Sequence, residues 1–130
     1  MATLTPTLTL ASTDVSSDTL SISATDTLTV GPPSTGVARV ALAVSGGADT
    51  VVKPAGSAGN HYLYVKHTGL QGDGSTAATA AVVLKLASTS LSVLVPGEWS
   101  YFNVINSGVI NAISSSSETI LLEYAYWTKA

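Results

Sequence analysis

DTLSISATDTLTV, residues 18–30, is the stretch on which the fold turns. Leu20, Ile22, Ala24, Leu28 and Val30 hold even positions, and Thr19, Ser21, Ser23, Thr25, Thr27 and Thr29 hold the odd ones. A period of two places one set on each face of an extended strand, which a helix of 3.6 residues per turn cannot do. Asp26 interrupts the apolar set. A carboxylate on that face predicts a bulge or a break near residues 25–26.

The same register continues upstream. In TLTPTLTL, residues 3–10, Leu4, Leu8 and Leu10 share one face and Thr3, Thr5, Thr7 and Thr9 the other. Pro6 cannot donate a ladder hydrogen bond, so this segment is expected at a sheet edge or as an extended arm. Residues 11–17 read as a loop, which divides the chain into an N-terminal arm, 1–17, and a β-domain, 18–130. Downstream, GPPSTG at 31–36 is expected to break the strand. Further strands are expected at 37–44, 49–53, 61–68, from about 80 to 87, 91–95, 99–104, 109–113 and 119–128. The loops between them are PAGSAGN at 54–60, GLQGDGS at 69–75, Asn106-Ser107-Gly108 and four serines at 114–117. Pro96-Gly97 is a strong turn signal, with Pro at the second position and Gly supplying a positive φ at the third. Nine or ten strands at this spacing indicate an all-β chain, a single antiparallel β-sandwich with jelly-roll-like or Greek-key connections. The last strand carries bulk on both sides: Ile120, Leu122, Tyr124 and Tyr126 on one, Leu121, Ala125 and Trp127 on the other. A sandwich strand needs one apolar face, so the second implies a covering element or a partner chain.

With 130 residues, the chain can bury a core without a disulfide or a metal, and it has no cysteine. Hydrophobic residues make up 45% of it and charged residues only 10%, against about 25% in an average domain. Eighteen Ser and 17 Thr fill much of the difference. A surface so poor in charge has little like-charge repulsion to hold copies apart, which favours assembly. The five basic residues, Arg39, Lys53, Lys66, Lys85 and Lys129, are scattered and form no nucleic-acid footprint. No apolar run approaches the ~20 residues that a membrane helix needs, and MATLTPTLTL lacks the features of a secretory signal. The chain is therefore expected to stay inside the cell or to leave it by lysis or a dedicated route, and the absence of cysteine fits assembly in a reducing cytoplasm.

No catalytic constellation stands out. His61 and His67 share a strand face but lie about 20 Å apart at ~3.3 Å per residue, too far to hold one metal, and read as solvated strand-end residues. No serine sits in a nucleophile elbow. Asp14, Asp18, Asp26, Asp49 and Asp73 form no dense acidic loop for calcium, and Glu98 is most simply a turn residue rather than half of a glycosidase pair with Glu123. We expect no catalytic residue, cofactor or metal. The aromatic set Trp99, Tyr101, Phe102, Tyr124, Tyr126 and Trp127 is the strongest grouping, open to three readings: core packing, a protein interface, or a carbohydrate-stacking platform.

LYVKHTG at 63–69, VVLKL at 82–86, LVPGEWSYFNV at 94–104 and LEYAYWTK at 122–129, preceded by DTLTVGPPSTGVARV at 26–40, occur in an order that resembles small structural proteins of tailed bacteriophages. The resemblance implies a non-enzymatic virion component, with capsid decoration or cement as its leading role. It also implies a major capsid protein as partner, assembly as a homo-oligomer with a trimer favoured, and neither nucleic acid nor membrane as partner. The candidate interface is then Leu4, Pro6, Leu8 and Leu10 with Trp99, Tyr101, Tyr126 and Trp127. A carbohydrate-binding or adhesin module on a tail or fibre is the alternative.

Overall fold

The computed structural model describes all residues except Met1, Ser16, Ser57, Ala58 and Asn106, and the side chains of Pro32 and Pro33 are likewise left aside. The described chain is all-β and antiparallel. Its strands are β1 (Ala2–Leu4), β2 (Thr7–Ser12), β3 (Leu20–Thr25), β4 (Leu28–Ser34), β5 (Ala38–Leu42), β6 (Thr50–Lys53), β7 (His61–Gln71), β8 (Val82–Leu86), β9 (Thr89–Leu94), β10 (Trp99–Val104), β11 (Ile110–Ser114) and β12 (Ile120–Lys129). A six-stranded sheet runs β1-β4-β12-β7-β10, with β5 also paired to β12. A four-stranded sheet runs β6-β11-β8-β9, and β2-β3 form a two-stranded ribbon. Parts of the loops expected at 54–60 and 106–108 lie outside the described residues.

The opening stretch resolves into two strands, β3 and β4, parted at Asp26–Thr27 where the misplaced carboxylate predicted a break. Pro6 parts β1 from β2 at the same level. The break does not change the register: the sum of paired residue numbers is the same for Ala2↔Val30, Leu4↔Leu28, Thr7↔Thr25 and Ser12↔Leu20. Between the halves, the Asp26 N–H donates to the Pro6 carbonyl at 3.2 Å. β1 to β4 are thus one long hairpin, its base built into the six-stranded sheet and its distal half free. The expected division at residue 17 falls in this hairpin's loop; the N-terminal strands pair with β4 and β3, and β1 holds an edge of the six-stranded sheet, the edge-strand form of the expectation.

Two further expectations are corrected. GPPSTG does not stop the chain, because β4 continues through Ser34. Thr128 pairs with Gly31 and Trp127 with Ser34, so the two prolines fall inside a register shift, where missing N–H donors cost no ladder bond. His61 and His67 are not solvated ends but fully buried, because β7 runs on to Gln71 and its odd residues point inward with Leu63 and Val65.

Buried side chains of both larger sheets form one cluster, with Leu42, Leu63, Val65, Leu122 and Ile120 from the six-stranded sheet and Val52, Val82, Leu84, Leu94 and Ile110 from the four-stranded one. Each such aliphatic side chain contributes about 1.5–3 kcal/mol. Most of the buried polar groups are bonded; His61 Nδ1 lies 3.3 Å from the Thr128 hydroxyl, while His61 Nε2 has no partner among the described residues. His67 Nδ1 accepts from the Gly69 N–H at 3.0 Å, which leaves Nε2 to donate to the Ala80 carbonyl at 3.0 Å. Lys53 Nζ donates to the carbonyls of Ile105 and Gly108, and burial lowers its pKa. Burial first, and then the Lys53 charge, lowers that of His61.

Candidate binding face and cleft

Strand parity divides the aromatic set. Phe102, Tyr124 and Tyr126 pack against the core, and Tyr126 meets the buried His61 ring edge-on at 6.1 Å. Tyr126, expected at an interface, therefore lies on the inner side. Trp99 and Tyr101 belong to the opposite face of β10, across from Lys66 and Tyr64 of β7. On β12, Trp127 pairs with Tyr62. The outer face of the six-stranded sheet thus carries Tyr62, Tyr64, Trp99, Tyr101 and Trp127. Tyr62 and Tyr101 stack with centroids 6.2 Å apart and planes 10° from parallel. Tyr62 and Tyr64 come from a segment 35 or more residues before Trp99. The alternation in HYLYVK carried the signal that both share one face.

Pro96-Gly97 forms the predicted turn and presents Trp99. The Glu98 N–H donates to the Val95 carbonyl at 3.0 Å, Gly97 has φ +90°, and the Glu98 carboxylate accepts from the Val95 N–H at 2.9 Å. The turn is fixed to β7 by the Gly97 N–H bonded to the His67 carbonyl and the His67 N–H bonded to the Glu98 carbonyl. Trp99 is 55% exposed.

The second half of the surface is the β2–β3 ribbon. Opposed residues share a side, so Leu8 and Ala24, Leu10 and Ile22, and Leu20 form an apolar face, while Thr7, Thr9, Thr25, Ser23 and Ser21 form a hydroxyl face. Leu8, Leu10 and Ile22 remain 41, 45 and 44% exposed. A cleft of about 720 Å³ lies between the ribbon's base and the aromatic face. Pro6, Leu8, Ala24 and Asp26 line it from the hairpin, and Tyr64, Trp99, Tyr101 and Asn103 from the sheet. Four of the eight expected interface residues, Pro6, Leu8, Trp99 and Tyr101, therefore meet at one place, with Leu10 one step farther along the ribbon. Leu4 and Trp127 line a separate depression beside Gly36.

The Tyr101 hydroxyl oxygen is buried at the cleft without a hydrogen-bond partner among the described residues. Burial raises its pKa, aided by Tyr62 and by the charge of Asp26. An unsatisfied buried hydroxyl costs about 1–3 kcal/mol. Nearby, the Tyr64 hydroxyl donates to Glu123 Oε1 at 3.1 Å, and Arg39 holds Glu123 Oε2 at 2.9 Å. The Arg39 bond is the main reason the Glu123 carboxyl titrates below its ordinary range.

The remaining sequence candidates have structural partners. Asp49 pairs with Lys85 at 3.0 Å, Asp14 accepts from the Ser12 hydroxyl, and Asp73 caps the turn at Ser75 and Thr76. Glu118, which sequence reasoning passed over, grips the backbone of Thr79 and Ala80. Among the described residues no three His, Cys, Asp or Glu side chains gather as a metal would require. On the second apolar side of β12, Ala125 is fully buried within the chain, while Leu121 and Trp127 stay partly exposed. No family model matches this chain, and no curated protein matches it.

Proposed function

We propose that the chain is a non-enzymatic structural subunit of a virion, a capsid decoration or cement protein that binds the assembled head of a tailed bacteriophage and stabilises it. One observation carries the reading: the outer half of the hairpin offers a largely apolar face, with Leu8, Leu10 and Ile22 41–45% exposed, on a chain with few charges to oppose association. Two-stranded ribbons are marginal alone, and an exposed contiguous apolar surface is a signature of docking. The resemblance to small phage structural proteins supplies the partner, the major capsid protein. β9 and β10 each pair on one side only among the described strands, which leaves edges for strand addition to a neighbour. Binding only to the assembled head stabilises that state by mass action.

The test uses purified heads stripped of this protein. The wild-type chain is expected to co-sediment with them and to raise the temperature at which they open. Leu10→Ser combined with Ile22→Ser is expected to weaken co-sedimentation by roughly ten-fold or more. Full burial of a Leu or Ile side chain is worth ~1.5–3 kcal/mol, and the 44–45% still exposed makes the two worth about 1.5–2.5 kcal/mol at each docked copy. The 55–56% of each side chain already covered within the ribbon makes the variant less stable by about 1.5–3 kcal/mol, so a circular dichroism spectrum matching the wild type is the check that it is folded at the assay temperature. Unchanged binding by the double variant refutes the ribbon's role. Failure of the wild type to bind refutes the decoration reading. In free solution a trimer is expected, with the mass of three 13.1-kDa chains by light scattering.

A further inference from the structure

We infer that the cleft between the hairpin base and the aromatic face is a binding site for a neutral saccharide of one or two rings. This site is separate from head attachment, which uses the ribbon's outer part at Leu10 and Ile22. Four features specify the ligand class. The volume of about 720 Å³ lies within the range of small-molecule sites and suits one or two pyranose rings. Trp99 lies at the cleft with more than half of its surface free, and the apolar C–H side of a pyranose packs on such a ring. The Tyr101 hydroxyl is desolvated and without a partner, so a ligand group that both donates and accepts, such as a sugar hydroxyl, satisfies it. Asp26 uses Oδ1 for the Thr27 N–H at 2.7 Å and has Oδ2 to accept from a second hydroxyl, with the Asn103 amide on the opposite wall.

The charges argue against other occupants. Asp26 and Lys129 both line the cleft, so their charges offset and neither an anion nor a cation is selected. Among the described residues the wall carries one basic side chain, Lys129, short of the cluster that a phosphate needs. A proline-rich peptide is the main competitor, since aromatic grooves also bind such segments. Its carbonyls accept from the Tyr101 hydroxyl, but a proline-rich backbone has few N–H groups to donate to Asp26.

The experiment is saturation-transfer NMR on the full chain with glucose, galactose, mannose, N-acetylglucosamine and their β-linked disaccharides, followed by titration of tryptophan fluorescence. A proline-rich decapeptide is run in parallel. At least one saccharide is expected to bind with a Kd below about 10 mM. Trp99→Ala is expected to weaken binding at least ten-fold. Tyr101→Phe removes only the unpartnered oxygen, so it is expected to leave folding intact and weaken binding roughly three- to ten-fold. Trp127→Ala, outside the cleft, is expected to bind as the wild type does. No binding by any saccharide at 10 mM overturns the inference. So does binding unchanged by Trp99→Ala, or a decapeptide that binds more tightly than every sugar. Weakened head attachment in Leu10→Ser/Ile22→Ser with saccharide binding retained keeps the two readings distinct.

Discussion

Replacing His67 tests whether a buried imidazole joins the end of β7 to the strap at residues 76–80. The ring accepts from the Gly69 N–H and donates to the Ala80 carbonyl, and the strap also runs beside β7 through Gln71 N–H to Thr76 O and Ala78 N–H to Gly69 O. His67→Leu keeps the volume and removes both ring bonds. The Ala80 carbonyl is left without its imidazole partner in a buried position, at about 2–3 kcal/mol, and the partly buried Gly69 N–H adds about 1 kcal/mol. The expected loss is therefore about 3–4 kcal/mol. His67→Ala also opens a cavity of roughly 60 Å³, which at ~24 cal/mol per Å³ adds about 1.5 kcal/mol. Against a total of about 5–15 kcal/mol for a domain, the alanine variant approaches unfolding. Urea denaturation followed by tryptophan fluorescence measures both. With a slope of about 1.5–2 kcal/mol per M, the leucine variant's midpoint is expected to fall by about 2 M, and the alanine variant's by a further 1 M or less. A leucine variant within 1 kcal/mol of the wild type would refute the claim that these two backbone groups depend on the ring.

Two other expectations concern turns. Gly97→Ala forces a side chain into φ +90°, and although nothing lies within 4 Å of the new Cβ, the strain is expected to cost about 1–2 kcal/mol in the same urea assay. The Asp73 carboxyl accepts from the Thr76 hydroxyl and from the N–H groups of Ser75 and Thr76, which lower its pKa from 3.8 to about 2. A depressed folded-state pKa means that its stabilisation is complete above pH 4 and is lost as pH falls from there towards 2. The stability gap between wild type and Asp73→Asn is thus expected to be constant at neutral pH and to close across that window; a gap unchanged at pH 2 contradicts the assignment.

Much of this architecture was legible because a period of two is a local property. Residues 20–25 alternate so cleanly that the strand and its two faces follow from the letters, and Pro96-Gly97 named its own turn, whereas Trp99, Tyr101 and Phe102 were separated only by the pairing of β10 with β7. What alternation does not contain is which face turns inward. For β12 both faces are apolar, so Tyr126 and Trp127 looked equivalent until β7 pairing put Tyr126 beside Leu63 and Trp127 beside Tyr62. The same gap misplaced His61 and His67. Histidine is polar enough to read as solvated, and partners distant in sequence offset the burial: the carbonyl of Ala80, thirteen residues from His67, and the Thr128 hydroxyl beside His61. Gly31 to Ser34 misled for a related reason: Pro and Gly punctuate chains in general, but a register shift against β12 supplies the one place in a strand where two prolines cost nothing.

The candidate surface arises from that same interplay of local and distant terms. Pro6 and Asp26 are each unfavourable for a strand interior, one lacking a donor and the other charged on an apolar face. They stand opposite each other in a shared register, so a single interruption crosses both strands of the hairpin. Below it, Leu28 and Val30 pack into the six-stranded sheet beside β12. Above it, Leu8, Leu10 and Ile22 leave the sheet with their apolar side partly exposed. Because the pairing register is the same on both sides of the break, the leucines stay on the side away from the hydroxyls. The paired break therefore lets one chain keep a single apolar side through two different surroundings, a covered base and an open tip, and the cleft lies where the two meet.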